Sequence, residues 1–309
     1  MNKTLNTMRK LICNQNPLTP WIAILIGLLT AISVSSNGQS ANSLSFEVEV
    51  TGQGPDLIFI PGLTCDGAVW DETAAKLSNS YTCHVITLPG FAGKEAIDVS
   101  EGFCPKMSTE IITYAQGLDH PSIIGHSLGG FLALDMLSKE PALFDRAIIV
   151  DGLPFLAAVT NPYATEESMK EASKAIIAAQ AQMSEEQFVQ QQRSTLQTMI
   201  TAEEDIETAM QWGLASDRAT VNQAMYELYT TDLRDEMSQV KTPVLVLGAY
   251  IAYKQYGVTK EMTMKNFESQ FALLEEVKIE LSDKGKHFIM WDDPEFFMQQ
   301  TEAFLSDIF

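Results

Sequence analysis

The sequence predicts an α/β fold, a mostly parallel central sheet with helices on both faces and a helical segment inserted part-way along it. Two observations predict it. Short apolar runs closed by glycine alternate with helical patterns in both halves of the chain, the rhythm of strands buried on both faces of a sheet. Between about residues 154 and 240 that rhythm stops. There the chain is rich in Ala, Gln, Glu and Met, has helical periodicity and offers no strand candidate. At 309 residues and 46% hydrophobic it can bury one substantial core, and a single domain with an insertion suits that length better than two independent folds.

Phe46 to Gly52 (FEVEVTG) alternates apolar and polar as a half-exposed strand does, and Leu57 to Gly62 (LIFIPG) reads as a continuous buried strand ending in a turn. A helix is expected over Val69 to Leu77, then a strand in CHVITLPG, an irregular glycine-rich stretch from Gly90 to Gly102, and a helix over Met107 to Leu118. SIIGHSLGGFLALDML passes from a buried strand through a glycine turn into an apolar helix, and Arg146 to Gly152 (RAIIVDG) is the next strand. After the helical stretch the alternation resumes with Pro243 to Gly248 (PVLVLG), a helix near Glu261 to Leu273, the strand Val277 to Leu281, a loop carrying His287, and a closing helix over Pro294 to Phe304. The expected organisation is a leader over 1–36, a core in two parts at 44–153 and 241–309, and a helical cap over 154–240. The cap methionines Met169, Met183, Met199 and Met210 read either as apolar helix faces or as substrate lining.

The leader is expected from composition. No acid occurs before Glu47, and Lys3, Arg9 and Lys10 precede the apolar run Trp21 to Val34, which is followed by the small polar stretch SSNGQSANS. Basic, then apolar, then small is the layout of a secretory signal peptide. The apolar run is shorter than the ~18 residues that span a bilayer, which favours cleavage near Ser36 over a permanent anchor. The expected location is therefore periplasmic or secreted, with membrane contact only if the leader stays. The formal net charge is −20, and cleavage removes positive charges alone. Such a surface repels phosphate backbones and anionic headgroups, so nucleic acid is not an expected partner.

The chemistry concentrates at Gly125-His126-Ser127-Leu128-Gly129, a G-x-S-x-G pattern. The turn that exposes such a serine is so sharp that only glycine fits beside it. The match follows an apolar strand, Ser122 to Gly125, and opens an apolar helix, Phe131 to Leu137, which is the required placement. His126 sits next to the serine on the turn, where adjacent side chains diverge, and it is expected to be structural rather than the base.

At these residues the chain resembles the α/β-hydrolase superfamily, in particular its capped esterase and aminopeptidase-like branches, over nearly all of the mature length. The resemblance is carried by PGLTCDGAVW after the family's third strand, LPGFAG after its fourth, GHSLGG at the nucleophile turn and KHFIMWDDPEFF near the C-terminus. It implies an α/β-hydrolase fold and an oxyanion hole made by two backbone N–H groups, here those of Leu63 and Leu128. The family often has His before the glycine of the first of these loops, whereas this chain has Pro61-Gly62; because the donor is main chain, the departure is tolerable. His287 stands where the family places its general base, after the last strand and before the closing helix, and the order serine, acid, histidine is the one this fold uses. His84 lies inside a strand and His120 precedes one, far from the strand ends that form the site.

The acid is less plainly marked. Its commonest place in the family follows the strand PVLVLG, but AYIAYKQYGVTK offers no carboxylate before Glu261. A family variation puts it one strand earlier, where Asp151 stands in IIVDGLP; Glu261 and Asp292 are the other candidates, and a strand-end aspartate can also serve purely as a turn anchor. The histidines show no HExxH and the cysteines no CxxC spacing, so no metal is implied, and no Gly-rich phosphate loop follows the first strand, so no nucleotide cofactor is implied either. On this sheet Cys65 and Cys104 follow the ends of neighbouring strands while Cys83 starts one, so Cys65 to Cys104 is the disulfide to expect if one forms.

These readings lead to acyl transfer through Ser127. The first expectation is hydrolysis of a carboxylic ester of a small or medium substrate, without cofactor. Aminopeptidase or amidase action on short peptides is the alternative; it would need acids such as Glu166, Glu167, Glu185, Glu186, Glu203 or Glu204 to hold an ammonium group, although paired acids on a helix commonly form a solvated face. A ligand-binding protein with weak turnover is a third reading, motivated by the missing acid and by the aromatic loop Tyr250, Tyr253, Tyr256.

Overall fold

The computed structural model describes residues 44–306; the expected leader, 1–36, lies outside them. Seven strands form one sheet: β1 (Glu47–Gly52), β2 (Asp56–Ile60), β3 (Thr82–Thr87), β4 (Ser122–His126), β5 (Ala147–Val150), β6 (Val244–Ala249) and β7 (Val277–Ser282). Their order across the sheet is β1-β3-β2-β4-β5-β6-β7, with β1 antiparallel to β3 and every other pair parallel. Among the described residues the strand before the Pro61-Gly62 loop is thus the second along the chain.

Alternate residues of the central strands feed two cores. Ile58, Ile60, Ile123, Ile149 and Val246 pack on one face with α2 (Cys104–Ala115), α3 (Leu128–Lys139) and α8 (Lys260–Gln270). Leu57, Phe59, Ile124, Ile148 and Leu247 pack on the other with α1 (Asp71–Leu77) and α10 (Pro294–Ser306). That period of two inside continuous apolar runs is the signature of strands covered on both sides. Full burial of a side chain such as Phe59 or Phe297 stabilises by about 1.5–3 kcal/mol relative to exposure.

Two expectations change. The sheet lies between Cys65, packed beside Leu57 and Phe59, and Cys104, packed beside Ile58 and Ile60. They cannot be bridged, and Cys65, Cys83 and Cys104 are buried free thiols. Burial pushes the Cys65 thiol up to about 12 and Cys83 up to about 11. Helix α2 begins at Cys104, three residues before Met107. Its cap comes from far away: Glu227 accepts from the Phe103 and Cys104 amides at 2.9 and 2.6 Å.

Four helices lie between β5 and β6: α4 (Glu166–Ala181), α5 (Glu185–Met199), α6 (Glu203–Ala215) and α7 (Arg218–Thr230). Thr165 and Ser184 close capping boxes at α4 and α5, and Asp217 caps α7. The paired acids Glu166/Glu167, Glu185/Glu186 and Glu203/Glu204 occupy first turns and are exposed. There they complement the positive end of the helix dipole. A short helix, α9 (Ile289–Asp292), follows the His287 loop.

Candidate active site

The register aligns the C-terminal ends of the middle strands. His126 pairs with Val150, and Val150 with Leu247, so the residues that follow, Ser127 and Asp151, leave the same edge of the sheet. Ser127 takes φ 53° and ψ −113°, a strained conformation for a residue with a side chain, of the kind that costs about 1–3 kcal/mol. It is held there by Ser127 N–H donating to the Val150 carbonyl at 2.9 Å and by Phe131 N–H donating to the Ser127 carbonyl at 3.0 Å. The glycines make the turn sterically accessible. A methyl on Gly125 would lie 2.3 Å from the Gly129 oxygen, and one on Gly129 would lie 2.3 Å from the Ile60 oxygen. Gly152 belongs to the same knot, since its methyl would come within 3.0 Å of the Ser127 oxygen; standing directly after a strand-end aspartate is the signal that could have marked it.

Asp151 also leaves its strand with positive φ, 45°. Both its oxygens are engaged. Oδ1 accepts from Ala249 N–H at 2.9 Å, and Oδ2 lies 2.6 Å from His287 Nδ1. Asp151 therefore anchors its turn and touches His287 at once. With the carboxylate accepting, Nδ1 carries the proton and Nε2 is left with its lone pair free. Glu261 is exposed in the first turn of α8, and no hydrogen bond or ion pair joins it to His287 among the described residues. Asp292 is committed elsewhere, accepting from Thr201 N–H and Oγ1 at 2.9 and 3.0 Å and from Lys286 N–H at 2.9 Å.

Of the remaining sequence candidates, the amides of Leu63 and Leu128 have no acceptor among the described residues. The Leu63 loop abuts the Ser127 turn: a methyl on Gly62 would sit 3.3 Å from Ser127 Cβ. No hydrogen bond links Ser127 Oγ to His287 among the described residues. His84 is bound to Asp56 and Tyr114 at 2.9 and 2.6 Å, and His120 lies just before β4, at the opposite end of that strand from Ser127. The ring of His126 packs 4.6 Å from that of His287. Tyr253, half-exposed, follows β6, where the usual acid is missing; partial burial and the Asp151 charge raise its pKa. Among the described residues no group of three or more His, Cys, Asp or Glu is placed to hold a metal ion.

The loop bearing His287 is tied to the inserted helices on both flanks, which the sequence did not mark. Lys286 Nζ donates to the Gln197 and Ile200 carbonyls, each at 2.8 Å, and Phe288 N–H donates to the Met199 carbonyl at 3.3 Å. Trp212 of α6 packs on Trp291, which stacks on Phe288.

The model of the alpha/beta hydrolase family matches residues 57–300, from the second strand into the closing helix. The chain belongs to the alpha/beta hydrolase family. Among its relatives is a pimeloyl-[acyl-carrier protein] methyl ester esterase of Nitrosomonas europaea, 28% identical over 66% of this chain and 79% of that protein. The structure resembles an esterase from Exiguobacterium antarcticum with a TM-score of 0.70 at 16% identity, covering 85% of this chain and 96% of the other. A hydrolase from Pseudomonas aeruginosa gives a TM-score of 0.70 at 15% identity, over 85% and 94%. At such identity these likenesses concern the alpha/beta hydrolase fold alone.

Proposed function

We propose that this alpha/beta hydrolase is an exported serine esterase that cleaves a carboxylic ester of a small or medium substrate through an acyl-enzyme on Ser127. The observation that carries the reading is the 2.6 Å contact of Asp151 Oδ2 with His287 Nδ1, at the strand ends from which Ser127 also emerges. His287 Nε2 takes the Ser127 proton as Oγ attacks the ester carbonyl. The Leu63 and Leu128 amides receive the oxyanion. Protonated His287 then gives its proton to the leaving alkoxide, and an alcohol departs. Water, deprotonated by the same nitrogen, attacks the acyl-enzyme and releases the acid, restoring Ser127.

The helices α4–α7 act in this reading as a cap over the site. Ester chemistry is favoured by the names of the relatives, several of them pimeloyl-[acyl-carrier protein] methyl ester esterases. The paired acids an aminopeptidase would need for an ammonium group sit exposed in helix first turns instead.

The test is hydrolysis of a short series of p-nitrophenyl esters and aminoacyl p-nitroanilides by wild type, Ser127→Ala and Asp151→Asn. The esters are expected to be the better substrates. Ser127→Ala is expected to lose at least about a thousandfold in kcat. An asparagine at 151 has one acceptor oxygen for two donors, Ala249 N–H and His287 Nδ1–H, so Asp151→Asn is expected to lose about 10³–10⁴-fold. Full activity in Asp151→Asn would move the acid elsewhere. Wild type that is inert to every substrate yet thermally stabilised by esters would favour the ligand-binding reading.

A further inference from the structure

His126 is buried, 1% exposed, directly before Ser127. Its Nε2 lies 3.1 Å from the main-chain oxygen of His287. A carbonyl only accepts, so Nε2 carries the proton and Nδ1 is bare. That bare nitrogen has no partner among the described residues and faces Gly62, where a methyl would come within 2.8 Å of it. The ring is flanked by Phe288 at 4.6 Å and meets Trp70 edge-on at 6.4 Å. A phenylalanine would keep an aromatic ring among those neighbours and leave no orphaned nitrogen. What histidine supplies here and phenylalanine does not is the single donor to His287.

From this contact we infer that His126 is a positioning residue for the general base, fixing the His287 main chain through the Nε2–H bond while Asp151 fixes its ring. Because His126 is joined to Ser127 by one peptide bond, the donor ties the backbone of the base to the backbone of the nucleophile. Their separation is then set by a short rigid link and not by the length of the loop after β7. Burial and the neighbouring His287 hold the His126 pKa well below the usual histidine value. The ring accordingly stays neutral and adds no second positive charge beside His287 while that residue takes up and returns its proton.

The inference rests on the Ser127–His287 reading, so wild type and Ser127→Ala are assayed alongside. The variants are His126→Phe, which keeps the ring and removes the donor, and His126→Gln, which keeps an amide donor at similar reach. With p-nitrophenyl acetate, His126→Phe is expected to lower kcat about tenfold to a hundredfold, the scale of a base displaced by a fraction of an ångström to an ångström. KM should stay within about threefold, and His126→Gln should recover kcat to within about fivefold of wild type. Wild-type kcat in His126→Phe, or His126→Gln as slow as His126→Phe, overturns the inference; His126→Met serves if the phenylalanine variant does not fold. The imidazole ¹⁵N shifts of His126 give a readout independent of turnover: a protonated Nε2 and bare Nδ1 are expected, and the opposite tautomer overturns it. Loss of Ser127-dependent turnover in wild type, by contrast, defeats the esterase reading itself.

Discussion

At the scale of single residues, the site is a set of strained or doubly used positions. Ser127 and Asp151 both take positive φ, and Asp151 anchors its turn with one oxygen while the other contacts His287. The G-x-S-x-G pattern was legible because glycine is the residue that admits the close approaches at 125 and 129. Asp151 was legible only as one of several carboxylates, since which of them reaches His287 depends on sheet register. The cysteines show the converse. Strand ends that are neighbours along the sheet edge put Cys65 and Cys104 on the same side in the sequence reading, but the two pack against opposite faces of the sheet. Native protein at pH 8 is therefore expected to resist alkylation at Cys65, Cys83 and Cys104, because Cys65 and Cys83 are raised to about 12 and about 11 and stay protonated until far more alkaline pH. Denaturation without reductant should expose all three to reagent, as read by mass; a peptide pair that appears only on reduction would contradict this.

At the scale of elements, strand positions were readable because buried parallel strands are short apolar runs closed by glycine. Helix starts were less so. The start of α2 depends on Glu227, which reaches it from α7 across more than a hundred residues of sequence, and no local pattern records such a cap. Glu227 is 7% exposed and Gln223 also donates to it at 2.6 Å. It therefore fastens the inserted helices to the core. Glu227→Leu leaves the Phe103 and Cys104 amides without their acceptor, and it is expected to destabilise by about 2 kcal/mol or more. Chemical denaturation checks this, and an unchanged midpoint would show that the latch contributes nothing. The ties around His287 were equally hidden. They join Lys286 and Phe288 to main-chain carbonyls at the end of α5, and a carbonyl carries no sequence signature.

At the scale of the whole molecule, charge is the property that goes furthest. The net charge is −20, and between residues 154 and 240 acids outnumber bases by more than twofold. Four of the five bases in that stretch are already paired: Lys170 with Glu167, Lys174 with Glu171, Arg193 with Glu203 and Glu207, and Arg234 with Asp232. The fifth, Arg218, lies over the Phe188 ring at 4.2 Å. Individually such exposed pairs contribute little to stability. Collectively they leave a negative potential around the helices proposed to cover the site, which enriches cations and depletes anions. For esters matched in size, kcat/KM is expected to run cationic above neutral above anionic by roughly tenfold from end to end. Raising salt until the Debye length falls to ~3 Å should compress that range. An anionic ester preferred at low salt would contradict the prediction.

The measurement that bears most directly on the proposed chemistry is covalent capture of the nucleophile. The protein is treated with a fluorophosphonate, digested, and the modified peptide sequenced by mass spectrometry. One adduct per chain is expected, on Ser127, formed in step with loss of ester hydrolysis and absent from Ser127→Ala. Hydrolysis that survives full labelling of Ser127, or an adduct on another residue that abolishes it, would contradict the account.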